Sequence, residues 1–588
     1  MKRARTAPPM RGHRVLSTWH CGHQRCQRRL MAGRLTKPAK DEILFVALGG
    51  CGEIGMNLYA YGHRNQWLIV DCGVAFGDLS TPGMDVLVAD IGPLLDGGGE
   101  IVGLAITHAH EDHIGAIPHL IEELDCPVYA TPFAASMIER KVDSYGGREM
   151  VLHRVPQGES ADIGVFNVEF VPVTHSIPEA CALSITTPAG RVIHTGDWKI
   201  DHDPQLGRMI DSDRLAELGR EGVLALVCDS TNALEEGHSG SEAEVYPGLL
   251  DLVEKATGRV AVTCFATNVA RVSTVARVAQ ATGRRLALVG RSLHRLYEVS
   301  KENGYLQSFP DVVGEDAIGR LPREEVLMLV TGTQGEPRAA LSKLARNEHH
   351  DAFLDAGDTV IYSSREIPGN EVDINRVRNQ LAALGVNVLA DGEDGLNVHV
   401  TGHPQRDELM QMYQWTQPKV ALAVHGEARH QLANAKLALT CQVGQALAPG
   451  DGDVIRLREG QEAEIVQRLE LDVFGLDGSR LIPLESEVMR LRKRMMHNGT
   501  INVAVAVNAR GNLVADPVMS SQGVFETLEE DEIEDEAADW AWDAVDRMNR
   551  SDRQSDDAIE AVVFKALRKF CKDNIGKRPL VTVSVLRV

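Results

Sequence analysis

Seven residues, THAHEDH (107–113), limit what this chain can be more than any other stretch. They hold His108, His110 and His113 with Glu111 and Asp112, follow the apolar run EIVGLAI and lead into IGAIPHL. Side chains of an extended segment alternate with period two, so His108 and His110 point to the same side. Asp112 and His113, where the chain turns toward a helix, can serve a second ion. A polar loop with solvated histidines is the alternative, and it suits one isolated histidine better than this spacing. Imidazole plus carboxylate, without thiolate, favours zinc or manganese in a hydrolytic role over a closed structural zinc.

Three later stretches repeat the pattern of a strand that ends in a candidate ligand. VEFVPVTHSIPEA ends in His175, GRVIHTGDWKID delivers Asp197, and PKVALAVHGEARH delivers His425. Each alone reads as a cap or turn residue. Together with the first cluster they supply enough ligands for two ions, and a carboxylate such as Asp197 can bridge both. Ions about 3.5–4 Å apart lower the pKa of a bridging water and clamp the oxygens of an in-line phosphoryl displacement.

The length of 588 residues exceeds one core and implies two to four domains. No apolar stretch approaches the roughly 20 residues that span a bilayer, and no signal-peptide core is visible. Ten scattered cysteines form no disulfide framework, so a cytoplasmic, reducing setting is expected. The formal charge of −22 argues against a wholly basic nucleic-acid binder, so a polyanion site must be a local groove. Charge is uneven: residues 1–40 carry no Asp or Glu, whereas ETLEEDEIEDEAADWAWD (526–543) is intensely acidic. The basic segment 1–40 is expected to be a disordered tail, with Met31 an alternative start. Its Cys21, His23 and Cys26 are too few and poorly spaced for a zinc knuckle.

Short apolar strands (ILFVAL, WLIVDC, IVGLAI, PVYAT, FNVEFVPV, CALSITT, RVIHTGD) lie too close together for a doubly wound parallel sheet. Mixed sheets with helices outside fit them better. From about residue 225 the texture changes to strand–loop–helix units, as in RVAVTCFATNVARVSTVARVAQATGRRLALVG. Near 370 the chain returns toward the first domain. A basic linker leads to a small α+β module with TINVAVAV and PLVTVSVLRV. The expected division is 1–40, 41–228, 229–370, 371–470, a linker 471–498, and 499–588.

The combination HAHEDH, His175, Asp197 and VHGEARH resembles the metallo-β-lactamase fold. CDSTNA, TGHPQRDEL and AVHGEARH are similar to the three β-CASP motifs of its nucleic-acid-processing branch. Within that branch GGCGEIGMN, THSIPEA, GDWKID and TGTQGEPRAALSKLA resemble the ribonuclease J family, over residues 41–470 in order. The resemblance implies an α/β chain: a metallo-β-lactamase αββα sandwich with an inserted β-CASP α/β domain and a small C-terminal α+β domain. It implies two Zn2+ per chain, with Mn2+ or Mg2+ able to support activity. His108, His110 and His175 would hold one zinc; Asp112, His113 and His425 the other; Asp197 would bridge them. Asp229 would orient its neighbours, and His403 would donate to the scissile phosphate, where charge develops in the transition state. His399, Val400, Thr401, Gly402 and His403, with Thr267 and Asn268, would cradle the RNA 5′ phosphate. The chain departs from the family at Thr401 and Thr267, where Ser is common, and at Pro404, where Ala is. Both hydroxyls survive. Asp407 and Glu408 resemble the family's acidic pair.

The function this implies is 5′-to-3′ exonucleolytic hydrolysis of RNA, preferring 5′-monophosphate ends, with some endonucleolytic cutting. RNA maturation and mRNA decay are the expected setting. Expected partners are single-stranded RNA, further copies of the chain in a dimer or tetramer, and RNA-decay or ribosome-associated proteins. A small-molecule metallohydrolase of glyoxalase or lactonase type is disfavoured by the long insertion between Asp197 and His425. A DNA-directed β-CASP nuclease is disfavoured because that branch usually carries Val where His425 stands. A silent scaffold is disfavoured by the intact ligand set. His119, His153, His194, His294, His349 and His350 read as surface or packing residues. GGCGEIG reads as a tight turn beside the metals rather than a nucleotide loop.

Overall fold

Strand Ile43–Gly49 shows how the core is organised. Ile43, Phe45 and Ala47 enter one apolar cluster, while Leu44, Val46 and Leu48 enter another. Both faces are buried, which a central strand covered on each side requires. A computed structural model describes residues 34–147, 149–367, 369–525 and 530–588. Residues 1–33, with Cys21, His23, Cys26 and Met31, lie outside the described residues. So does the start of the acidic run, whose described part forms helix Glu530–Asp546.

Two large sheets lie face to face. The first has eight strands, running in spatial order 464–468, 453–457, 43–49, 58–63, 66–70, 100–105, 128–130 and 152–154. The second has seven: 160–163, 166–172, 181–187, 190–194, 225–229, 420–424 and 445–447. Phe45, Tyr61, Leu68 and Val70 of the first meet Phe166, Phe170, Leu183, Val227 and Leu422 of the second. Helices cover the outer faces: Ile114, Ile117 and Leu120 pack on the first sheet, and Leu215, Leu218, Leu409 and Met412 on the second. Burying each such side chain stabilises the fold by about 1.5–3 kcal/mol. The layers are α, β, β and α.

A separate six-stranded sheet, every neighbouring pair parallel, is inserted between strands Ala225–Asp229 and Val420–Val424. The expected boundary at 370 falls within this layer, because helix Glu371–Ala383 and strand Asn387–Ala390 complete it. The expected linker 471–498 holds the hairpin Val473–Asp477 and Arg480–Pro483, which extends a sheet with Val86–Ala89 and Val74–Phe76. Residues 34–40, expected in the tail, lie against the body: Leu35 is buried and Thr36 bonds the Gln467 side chain. Beyond helix Glu487–Asn498, strands Thr500–Val507, Val518–Gln522 and Leu580–Arg587 form a three-stranded sheet with two helices on one face.

No helix among the described residues is long and apolar enough to cross a membrane. The eight described cysteines are free thiols.

Candidate metal centre and phosphate strap

Five strands deliver candidate residues to one end of the two large sheets. Glu100–Ala105 precedes His108, Phe166–Pro172 precedes His175, and Gly190–His194 precedes Asp197. Asp229 closes Ala225–Asp229, and His425 follows Val420–Val424 with a positive φ of 51°. The HAHEDH turn fits closely against Gly73, where an added Cβ would lie 1.6 Å from the Asp112 carbonyl oxygen. The glycine loop also holds this end: the amide of His425 donates to Gly50 O at 2.8 Å. That agrees with its reading as a tight turn, here beside the candidate ligands.

His108, His110, His175 and Asp197 form one group of converging donor atoms, and Asp112, His113, Asp197 and His425 a second. His110 Nδ1 lies 3.2 Å from His108 Nε2 and 3.0 Å from His175 Nε2. Asp197 stands between the groups. Its Oδ2 is 3.6 Å from His108 Nε2, 3.7 Å from His175 Nε2 and 3.3 Å from His113 Nε2, and its Oδ1 is 3.4 Å from His425 Nε2. A tetrahedral ion with bonds of about 2.0–2.1 Å needs donors about 3.3 Å apart. Asp197 Oδ1 and His425 Nε2 are both buried without a hydrogen-bond partner among the described residues. Buried polar atoms rarely stay unpaired, so their common focus suits a cation. The donor set fits two borderline-soft divalent ions.

The ring nitrogens are oriented from behind. His175 Nδ1 faces the Gly402 carbonyl at 2.6 Å, and a carbonyl only accepts, so the proton sits on Nδ1 and Nε2 keeps its lone pair. His113 Nδ1 meets Asp71 Oδ2 at 2.7 Å with the same result. Thr107 gives its own proton to Asp71 at 2.8 Å and so accepts from His108 Nδ1 at 3.0 Å. His425 Nδ1 donates to Asn57 Oδ1 at 2.9 Å. Four histidines thus present Nε2, and His110 presents Nδ1. Burial pushes His108 and His175 well below the ordinary imidazole pKa, with His113 and His110 respectively adding to it, and burial brings His110 to about 4. His108, His110 and His175 are neutral, as ligands must be, whereas burial at His113 is outweighed by Asp197 and Asp112, which hold its pKa well above the ordinary value, so an ion bound there would displace a proton from its Nε2. Burial disfavours the Asp197 carboxylate, but His425 and His113 outweigh it and hold its pKa well below the usual range.

The strap 399–403 runs over this cluster. His403 Nδ1 donates to Asp229 Oδ2 at 2.8 Å, and its ring centre lies 5.4 Å from that of His175 and 5.5 Å from that of His425. Burial works against protonating His403, yet Asp229 and then Asp197 prevail and push it up to about 9. Thr401 and Val400 line a cleft with His175, Ser176 and the buried Lys199. Asn268, buried, caps helix Val269–Thr282 through Oδ1, and Thr267 precedes it half-buried. Of the acidic pair, Asp407 lies 3.5 Å from His238 at the surface. Glu408 is buried, taking bonds from Ile200 N, Ser239 N, Ser239 Oγ and Gln405 N at 2.7–2.9 Å.

Sequence reasoning missed Asp71, Asn57 and Thr107, which orient the rings. WLIVD does repeat the strand-then-acid pattern that drew notice at Asp197, so Asp71 carried a signal. Asn57 carried none. Of the histidines set aside, His194 packs on Tyr59 and bonds Tyr61, His153 stacks on Tyr129, and His119 meets Tyr145 edge-on. His294 and His350 are exposed, and His349 is half-buried.

Residues 66–216 match a beta-lactamase superfamily domain, and residues 257–381 match the ribonuclease J beta-CASP domain. Residues 397–441 match a Zn-dependent metallo-hydrolase RNA specificity domain, and 487–588 the ribonuclease J C-terminal domain. The chain is 41% identical over 554 residues to ribonuclease J of Sinorhizobium meliloti, covering 93% of this chain and 98% of that protein. It is 32% identical over 551 residues to ribonuclease J 1 of Streptococcus pyogenes, covering 93% and 98%. With ribonuclease J of Corynebacterium glutamicum it shares 39% over 501 residues, covering 84% and 69%. The αββα sandwich, the inserted β-CASP domain and the C-terminal domain expected from the sequence are all present.

Proposed function

The chain belongs to the ribonuclease J family, and from that premise we propose a two-metal ribonuclease that removes nucleotides from 5′-monophosphorylated ends. It also cuts internally, and acts in RNA maturation and mRNA decay. The chain is an RNA-binding metallo-hydrolase of the nuclease type. The observation that carries the proposal is the bond from His175 to the carbonyl of Gly402, which holds residues 399–403 directly on the ligand cluster.

His108, His110 and His175 would hold one zinc ion, Asp112, His113 and His425 the other, and Asp197 both; Mn2+ or Mg2+ would suit the same donors. Ions held there would supply Lewis acidity to a water and positive charge toward the phosphate. Thr401, His399, Thr267 and Asn268 hold the terminal phosphate, while the backbone of Val400 and Gly402 shapes the strap. His403, protonated at neutral pH by its pairing with Asp229, donates to the phosphate oxygen that gains charge. Asp229 fixes which nitrogen of His403 carries the outward proton. A homo-oligomer through the C-terminal domain suits the exposed Val518 and Leu586 on its sheet.

Product analysis on one RNA carrying a 5′-monophosphate or a 5′-triphosphate tests this reading. Successive mononucleotides should come from the monophosphate only, with internal fragments from both. Mononucleotides released equally from both ends would defeat the end-recognition reading, and equal rates on DNA of the same sequence would defeat the preference for ribose.

A further inference from the structure

The hydrogen-bonding sense of the strap is set by residues behind it. Thr401 Oγ1 accepts from Asn232 Nδ2 at 2.8 Å and from the His403 amide at 3.2 Å. A hydroxyl oxygen has two lone pairs and one proton, so both acceptor positions are filled and the O–H can only donate. The orientation of Asn232 is itself fixed. Its Nδ2 also faces the His403 carbonyl at 3.2 Å, which only accepts, and its Oδ1 faces Arg365 Nη1 at 3.5 Å, which only donates.

His399, two residues earlier, lies against the same support: Arg271 Nη1 is 3.3 Å from its Nδ1, and the Ser363 backbone also bonds its ring. Arg271 is fully buried and held in place by Glu242 at 2.7 and 3.0 Å and by Ser363 Oγ at 2.6 Å.

We propose that Asn232 is a positioning residue that makes Thr401 donor-only, so that the strap takes an anionic RNA 5′ end in preference to a 5′-hydroxyl. This rests on the 5′-monophosphate reading above. A phosphate oxygen only accepts and carries charge, so the Thr401 O–H bonds it more strongly than it bonds a neutral hydroxyl end. Asn232 touches no substrate; it acts through Thr401.

The test is kcat/KM of the full chain on one RNA bearing a 5′-monophosphate or a 5′-hydroxyl, for wild type, N232A, N232D, T401V and N232A/T401V. Wild type should prefer the monophosphate, and N232A should cut that ratio roughly tenfold, mainly through KM. N232D should cut it further despite its near-identical shape, because its carboxylate takes the Thr401 proton. N232A should add nothing in the T401V background. A merely structural Asn232 gives the reverse order, with N232A worse than N232D and both ends losing equally; that result, or additive losses in the double variant, overturns the inference alone. A wild type without preference between the two ends overturns the monophosphate reading and this inference with it. Should N232A fail to fold, the ratio for N232D against T401V decides in the same way.

Discussion

His175 donates from Nδ1 to the carbonyl oxygen of Gly402 at 2.6 Å, across 227 residues of sequence. One bond therefore sets both the lone pair of a candidate ligand and the height of the 399–403 segment above it. A Cβ at Gly402 would lie 2.7 Å from His175 Cε1 and 2.9 Å from Nδ1, closer than the ring can tolerate. Gly402→Ala is expected to lower metal affinity and turnover by about 10–100-fold, the usual cost of disturbing a ligand's outer partner. Metal titration of the purified variant alongside its rate checks this; wild-type affinity would show that the contact is slack.

Asp71 is the second such support. It is fully buried, accepts from Thr107 N and Oγ1 at 2.8 Å, and holds His113 Nδ1. Asp71→Asn places an amide where the imidazole proton points and favours the wrong tautomer. A loss of about 10–100-fold in affinity for one ion is expected. Stoichiometry by metal analysis should fall toward one ion per chain while far-UV circular dichroism stays unchanged.

Metal removal gives a third prediction. Chelation should abolish hydrolysis and lower Tm, since ions that bind only the folded chain stabilise it by about 2.7 kcal/mol at a hundredfold excess over Kd. His110→Ala should remove one ion and all hydrolysis. Full activity after exhaustive chelation would end the two-metal reading.

The pH profile gives a fourth. The His403 pKa is raised, so the protonated donor is present below it and lost as pH rises through it. With Asp197 engaged by ions, Asp229 supplies the main pull, and the alkaline limb of kcat should fall at or below about 9. Asp229→Asn removes that pull and should move the limb to lower pH. A limb that stays in place would assign it to another group.

The sequence alone determined the residue types of the centre and the order in which the chain supplies them. HAHEDH is a local signal, and the strands that end in His175, Asp197, Asp229 and His425 are runs of apolar residues whose period is visible without a fold. The β-CASP motifs extended that reading to the segment 399–403, which the fold brings onto the same cluster. The domain limits were less legible. Helix Glu371–Ala383 and strand Asn387–Ala390 look like any α/β pair, and only their parallel pairing with Thr359–Tyr362 assigns them to the inserted sheet.

Only the tertiary structure decided how each candidate is aimed. The partners that fix the ring nitrogens stand far away in sequence: Asp71 is 42 residues from His113, and Asn57 is 368 from His425. Asn232 likewise reaches Thr401 across 169 residues. An Asp after a strand or an Asn in a turn has no periodicity to announce it. Its effect depends on whether the atom it meets can only donate or only accept, and that is settled when the chain folds and brings those atoms within 3 Å.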